Sequence, residues 1–307
     1  MEQFLQYINL NWFFCTIIFT IIYGIVDYMY KVAAMHNCQA HQIINKSAAT
    51  ISILSFGIIL ITGSEFVDIK SLLFFAAINS AFFALGSIVK IKALERIPSS
   101  IVFPVSKLNS VFLIVYALVL FNDKPTLSQW IGILISLSML VYISFNINDK
   151  SNKVRVEHVN SNIQIIGLIF AVLAAFSTSI SMLTGKFAST EVSKLNYIFI
   201  SYTFVMLYTF IFNHTIFSKK LSFIDIATKR KTLVFGIIIG ILNFVGYFLV
   251  LNAFETGPLS LVQGISSNSF IIPIILSVIF FKENFDYKKM IVVGMAIISI
   301  ILIKMEF

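Results

Sequence analysis

This sequence is poor in almost everything a water-soluble domain spreads over its surface. Only 12% of its 307 residues are charged, about half the share usual in a soluble domain, and 58% are hydrophobic. A chain this apolar cannot cover itself with polar groups, so a soluble fold is excluded and lipid is left as the solvent. Cysteine is scarce too: Cys15 lies in an apolar run and Cys38 in a connection, which excludes a disulfide framework and a thiolate metal site. The four histidines stand in connections or at the ends of apolar runs, without the spacing a metal centre needs. No G-x-x-x-x-G-K-[ST] run occurs, so the chain carries no ATP-hydrolysing loop of that type. The net charge of +8 comes with no nucleic-acid-binding motif, and the densest basic block is Lys229-Arg230-Lys231. In a membrane protein such charge belongs to the loops, so nucleic acid is set aside as a partner.

What is abundant is apolar length. The first run, Asn11 to Tyr30, is too long for a signal-peptide core and lacks a small-residue cleavage site; it reads as a first membrane span. Ten such runs occur, near 11–31, 41–63, 71–93, 99–121, 127–147, 163–185, 195–213, 233–253, 259–281 and 287–305. Each is about 20 residues, the length that carries a helix across ~30 Å of hydrocarbon. Backbone groups in lipid must be satisfied within the segment, and the runs lack the alternation a barrel strand would show. The expected partner of this surface is the lipid bilayer, and for a bacterial chain the cytoplasmic (inner) membrane.

The longest polar connection, Asn146 to Asn162, follows the fifth span. It divides the chain into 1–148, a linker 149–162, and 163–307, and the two halves resemble each other. ALERIPSSIVFPVSKLN (Ala93 to Asn109) aligns without a gap on AFETGPLSLVQGISSNS (Ala253 to Ser269) at an offset of 160. The register matches Ala93 with Ala253, Glu95 with Glu255, Pro98 with Pro258, Ser100 with Ser260 and Ser106 with Ser266; carried backwards, it matches Gly86 with Gly246. Five is odd, so a second copy of five spans starts from the opposite face of the membrane. A repeat in sequence thereby becomes an inverted repeat in space, an arrangement of secondary transporters that places a solute site near the midplane. The expected fold class is an all-α polytopic membrane protein with ten transmembrane helices in two inverted five-helix repeats.

The pattern A-x-E-x-x-P-x-S entering the fourth and ninth spans is one of a set of features shared with a known family. The spans that follow it run into FNDKPTLSQWIG (Phe121 to Gly132) and FKENFDYKKMIVVG (Phe281 to Gly294). Together these resemble the drug/metabolite transporter superfamily, EamA-type branch, over essentially the whole chain. One departure is Asp123, where glutamate is usual. The resemblance implies solute transport, often efflux of amino acids or other metabolites, with sugar and nucleotide-derivative importers sharing the fold.

Two residues inside the fourth span are out of place in lipid. Pro104 removes a backbone N–H and should kink or open the helix, and its partner in the repeat, Gly264, also loosens a helix; paired interruptions of this kind point to a transporter's site. A purely structural role in helix packing is the other reading. Lys107 lies about eight residues into its span, roughly 12 Å deep, where a charge costs at least ~2.5–3.5 kcal/mol, so it should face a partner or a wet cavity. Ser106 and Asn109 in the same span, and Gln263, Ser266, Ser267, Asn268 and Ser269 in the ninth, supply polar neighbours at matching depth. Interhelical hydrogen bonding that only holds helices together is the alternative. Asn79 and Asn243 sit mid-span in the third and eighth helices and complete the expected substrate-binding set of Lys107, Ser106, Asn109, Gln263, Ser267, Asn268, Asn79 and Asn243. Asp27, the most deeply placed acid, is a coupling candidate that could pair with Lys107 or, locally, with Lys31.

Connections after spans 1, 3, 5, 7 and 9 hold 16 of the 22 Lys and Arg residues, against 5 on the other face. Lys and Arg concentrate on the cytoplasmic side, so charge places both termini outside, whereas the family resemblance implies termini inside. The chemistry expected is secondary transport of a small polar, amino-acid-like solute by alternating access, with efflux as the direction and H+ among the coupling candidates. Import or exchange of a sugar or an anionic, phosphorylated metabolite is the rival, and a receptor or scaffold that moves nothing is a third. No His, Cys or paired carboxylates converge in the spans, so an enzyme is not expected, nor a cofactor or metal. A homodimer is compatible with this reading.

Overall fold

The computed structural model describes residues 11–94, 96–97, 102, 105–146, 161–215, 226–281 and 287–305. Among them every regular element is helical. The helices are α1 (Trp12–Met35), α2 (Ala40–Thr62), α3 (Ile69–Leu94), α4 (Leu108–Leu120), α5 (Leu127–Asn146), α6 (Ser161–Glu191), α7 (Lys194–Thr215) and α8 (Ile226–Thr256). The ninth span is divided into α9 (Leu259–Ser266), a 3₁₀ turn (Ser267–Phe270) and α10 (Ile271–Phe281); α11 (Tyr287–Lys304) is the tenth. Seven stretches are long and apolar enough to cross a membrane by themselves, and α4 and α5 are shorter apolar helices. With α11, helices occupy all ten expected runs, in the expected order. Several are longer than their apolar runs, α6 and α8 most of all, because helix continues into polar flanks: α6 runs on to Glu191, and α8 starts before Lys229.

The helices cluster into two compact units that do not follow the halves of the sequence. The first takes Met1–Ala84 and Thr184–Gly257; the second takes Leu85–Leu183 and Pro258–Phe307.

In the first unit, α8 packs on α1 and α2, and α7 packs on α2. Gly236 and Gly240 of α8, four residues apart, let α2 come close. A methyl group at Gly236 would meet Lys46 Cβ at 2.4 Å, and one at Gly240 would meet Thr50 Cβ at 2.6 Å. Small residues at this spacing allow the backbone approach that drives helix association in lipid, where apolar contact alone gives no preference. Polar bonds add to it: Asn45 Nδ2 donates to Thr209 Oγ1 (2.9 Å) and to the Met206 carbonyl (3.1 Å), and Ser52 and Thr203 share a hydrogen bond of 2.6 Å. Bonds of this kind average ~0.6 kcal/mol each in membrane helices.

One end of this unit is closed by charge. Lys194 pairs with Glu255 at 2.6 Å, and Lys186 Nζ donates to the carbonyls of Phe254 and Gly257 at the C-terminal end of α8. Those carbonyls have no helical partner, and a cation there also meets the negative end of the helix dipole. Glu255, one of the residues that defines the repeat, is thus held by a lysine from the start of α7.

In the second unit, α5 packs on α11 and α9 packs on α4, α5 and α11. Asp123, from the connection after α4, caps α9: its Oδ2 accepts from the Ser260 N–H (2.8 Å) and from Ser260 Oγ (2.7 Å). A carboxylate at a helix N-terminus satisfies an orphan donor and meets the positive end of the dipole. The acid that marks the end of the fourth span therefore anchors the start of the ninth. Glu95, Pro98, Ser100, Pro104 and Glu283 lie outside the described residues.

Candidate functional site

Both spans singled out in the sequence are interrupted, and at the same register. In the fourth, residues 105–106 are helical, Lys107 is a turn, and α4 begins at Leu108. In the ninth, α9 ends at Ser266 and the 3₁₀ turn begins at Ser267, the residue that the offset of 160 matches with Lys107. Gly264 itself lies inside α9, three residues before the break. It is a close-packing position, where a methyl group would meet Ile133 Cγ1 at 2.9 Å and Ile303 Cδ1 at 3.0 Å. The opening of the ninth span is explained by the run Ser266–Ser269. Ser267 Oγ (2.8 Å) and Asn268 Nδ2 (3.2 Å) both donate to the Gly264 carbonyl, and Ser266 Oγ donates to the Gln263 carbonyl at 3.2 Å. Side chains that compete for helix carbonyls in this way pull a helix toward tighter turns.

The second unit brings a polar cluster together at these breaks. Lys107 Nζ donates to Ser269 Oγ at 3.0 Å. Asn268 Nδ2 donates to Ser136 Oγ at 3.0 Å, Ser136 shares a 2.5 Å hydrogen bond with Ser299, and Ser299 Oγ donates to the Gly132 carbonyl at 2.9 Å. The break in the ninth span is thereby tied to α4 on one side and to the α5–α11 pair on the other.

Not every polar atom there is used. Gln263 is 1% exposed and its Oε1 accepts from Ser266, yet its Nε2 has no partner; Asn268 is 2% exposed and its Oδ1 has none. Asn109 Oδ1 is in the same state, with its Nδ2 on Met182 Sδ at 3.7 Å. Leaving such an atom unmet costs ~1–3 kcal/mol, and in native structures these groups are normally met by protein, water or ligand. The second unit thus leaves one amide donor and two amide acceptors open. Ser106 is half-buried in the helical residues just before Lys107.

The first unit holds the rest of the expected set. Asn79 Nδ2 donates to the Tyr247 hydroxyl at 2.9 Å. Tyr247 stacks on Tyr197 (centroids 6.4 Å apart) and meets Tyr202 edge-on at 5.6 Å. Asn243, one turn before Tyr247, is half-buried, as is Asp27 on α1. Tyr197, Ser201 and Tyr202 were missed in the sequence, although Tyr197 and Ser201 stand one helical turn apart in an otherwise apolar run, a spacing that marks one polar face. Ser299 is the one serine of its span, and Ser136 is one of several in its own, so neither stood out in the sequence.

Fold and breaks together define a polytopic helical membrane protein of the transporter type. The EamA-like transporter family model matches residues 10–145 and 165–305, once in each half. The chain belongs to that family. It is similar to an uncharacterized transporter of Archaeoglobus fulgidus, 23% identical over 237 residues that make up 77% of either protein. A solved crystal structure has the same fold, with a TM-score of 0.74 at 11% identity over 94% of this chain and 96% of that one.

Proposed function

We propose that this family member is a secondary active transporter that exports a small polar, amino-acid-like solute by alternating access, with the solute bound at the breaks of the fourth and ninth spans. The observation that carries this reading is Lys107 on Ser269 at the break of the ninth span, with unmade amide hydrogen bonds at Gln263, Asn268 and Asn109 of the same unit. A carboxylate on Lys107 would offset the cost of an ammonium inside a span, and the start of α4 adds its own positive end, as in other broken-helix transporters. Gln263 Nε2 suits a second carboxylate contact, and Asn268 Oδ1 and Asn109 Oδ1 suit an amine. Asp27 is the proposed carrier of a coupling proton, since it is the most deeply placed carboxylate among the described residues. The point charge of Lys107 also suits a phosphoryl group, which keeps import of an anionic metabolite as the second reading.

The test is a thermal-shift screen of the purified protein against amino acids, sugars and phosphorylated metabolites, followed by flux in proteoliposomes. A ligand at about 100 times its Kd stabilises the folded state by ~2.7 kcal/mol. The expected result is a shift with an amino acid that is absent in Lys107→Met. Undiminished flux in that variant overturns the site, and a shift confined to phosphorylated compounds selects the second reading.

A further inference from the structure

Glu65, Asp68, Glu191 and Glu255 of the first unit lie at the end where α2 and α8 finish and α3 and α7 begin, interleaved with Lys70, Lys186 and Lys194. At the opposite end, where α2 and α8 begin, stand Lys46, Lys229, Arg230 and Lys231, every one of them exposed. The first turns of α8 pack against the α1–α2 hairpin there: Phe235 meets His36 at 6.1 Å between ring centroids and joins the apolar cluster of Val26, Ala33, Cys38, Ile43 and Ile239.

Gly236 gives this end its shape. The Lys46 Cβ lies where a side chain of residue 236 would begin, so the lysine stem runs over bare backbone. Helical Cα–Cβ bonds tilt toward the helix N-terminus, which for α2 is this same end. Lys46 thus leaves α2 toward the end of α8 that carries Lys229–Lys231, which lie five to seven residues, roughly 8–10 Å, further along that helix. Three cations on the first turns of a span and a fourth exposed on the neighbouring helix make a basic collar at this end of the unit.

We propose that this collar, Lys46 with Lys229, Arg230 and Lys231, binds the phosphate headgroup of an anionic phospholipid. The acyl chains supply the rest of the fit, because the apolar flank of α8 below the collar (Leu233, Val234, Ile237, Ile238) is exposed. Each basic residue at a membrane surface adds to attraction for anionic lipid. The inference stands apart from the transport reading, since it uses none of the residues at the breaks.

The test is a titration of the full chain in neutral detergent with phosphatidylglycerol and with phosphatidylcholine, read by native mass spectrometry. Phosphatidylglycerol should bind at least about tenfold more tightly, and the preference should shrink as salt is raised. The variant Lys46→Gln/Lys229→Gln/Arg230→Gln/Lys231→Gln should lose it, and Lys46→Arg/Lys229→Arg/Lys231→Arg should keep it. Should the first variant fail to fold, Lys229→Gln/Arg230→Gln/Lys231→Gln, which leaves the packed Lys46 in place, decides by the same reading. Equal binding of the two lipids, or a preference unchanged in the glutamine variant, overturns the proposal. Displacement of phosphatidylglycerol by millimolar inorganic phosphate overturns it as well, because the site would then be one for a free anion.

Discussion

The fourth and ninth spans open at the same register but with different side chains at the opening. The fourth puts a cation, Lys107, in its turn, whereas the ninth puts Ser267 there, which bonds back to its own helix at the Gly264 carbonyl. Ser269, which the repeat matches with Asn109, is the residue that receives Lys107. The repeat thus supplies the geometry twice and the charge once. A site built from two equal lysines would repel itself, whereas one lysine facing hydroxyls and amides leaves room for an anionic group.

The comparison is broken most severely by Lys107→Met, which removes the only charge at the breaks among the described residues. Flux in proteoliposomes should fall to background while the protein still purifies as folded material. Gly264→Ala comes next, since its methyl group presses on Ile133 and Ile303 and overpacking of this kind costs ~1–3 kcal/mol; thermal unfolding in detergent should report the loss. Asp123→Asn keeps the shape of the α9 cap but weakens a charge-assisted pair of bonds, at a cost of about 1 kcal/mol. Asp123→Glu, the residue usual in the family, should recover part of it in the same assay. Ser267→Ala sharpens the comparison at least cost: it frees the Gly264 carbonyl from one competitor and should change stability by no more than ~0.5 kcal/mol. A large loss there would mean that Ser267, like Lys107, has a partner beyond its own helix.

The architecture was legible because lipid imposes it. Twenty apolar residues in a row have few other uses, and the offset of 160 matched Glu, Pro and Ser as well as aliphatic letters. The ends of α6 and α8 were less legible, since hydropathy stops at the membrane edge and hydrogen bonding does not: Lys186 and Lys229 lie beyond the apolar runs yet inside the helices. The break in the ninth span was signalled by Gly264, but it occurs at the Ser-Ser-Asn-Ser run. Backbone freedom permits an opening, and competing hydroxyl and amide groups decide where it falls. Partners far apart in sequence left no trace: nothing in FNDKP announces that Asp123 will cap Ser260, 137 residues away. The pairing of Glu255 with Lys194 is of the same kind, fixed only once α7 and α8 stand side by side.

The turn of four residues at Ser267–Phe270 also acts as a phase shifter. A 3₁₀ helix advances about 120° per residue, against about 100° in an α-helix, so four residues rotate everything downstream by roughly 80° relative to an unbroken span. They also lengthen it by about 2 Å. The two segments accordingly obey different angular clocks: α9 is buried on every side, whereas α10 turns Ile279 and Phe280 outward. A helical wheel drawn through the ninth span as a single cylinder would point its second half at the wrong neighbours.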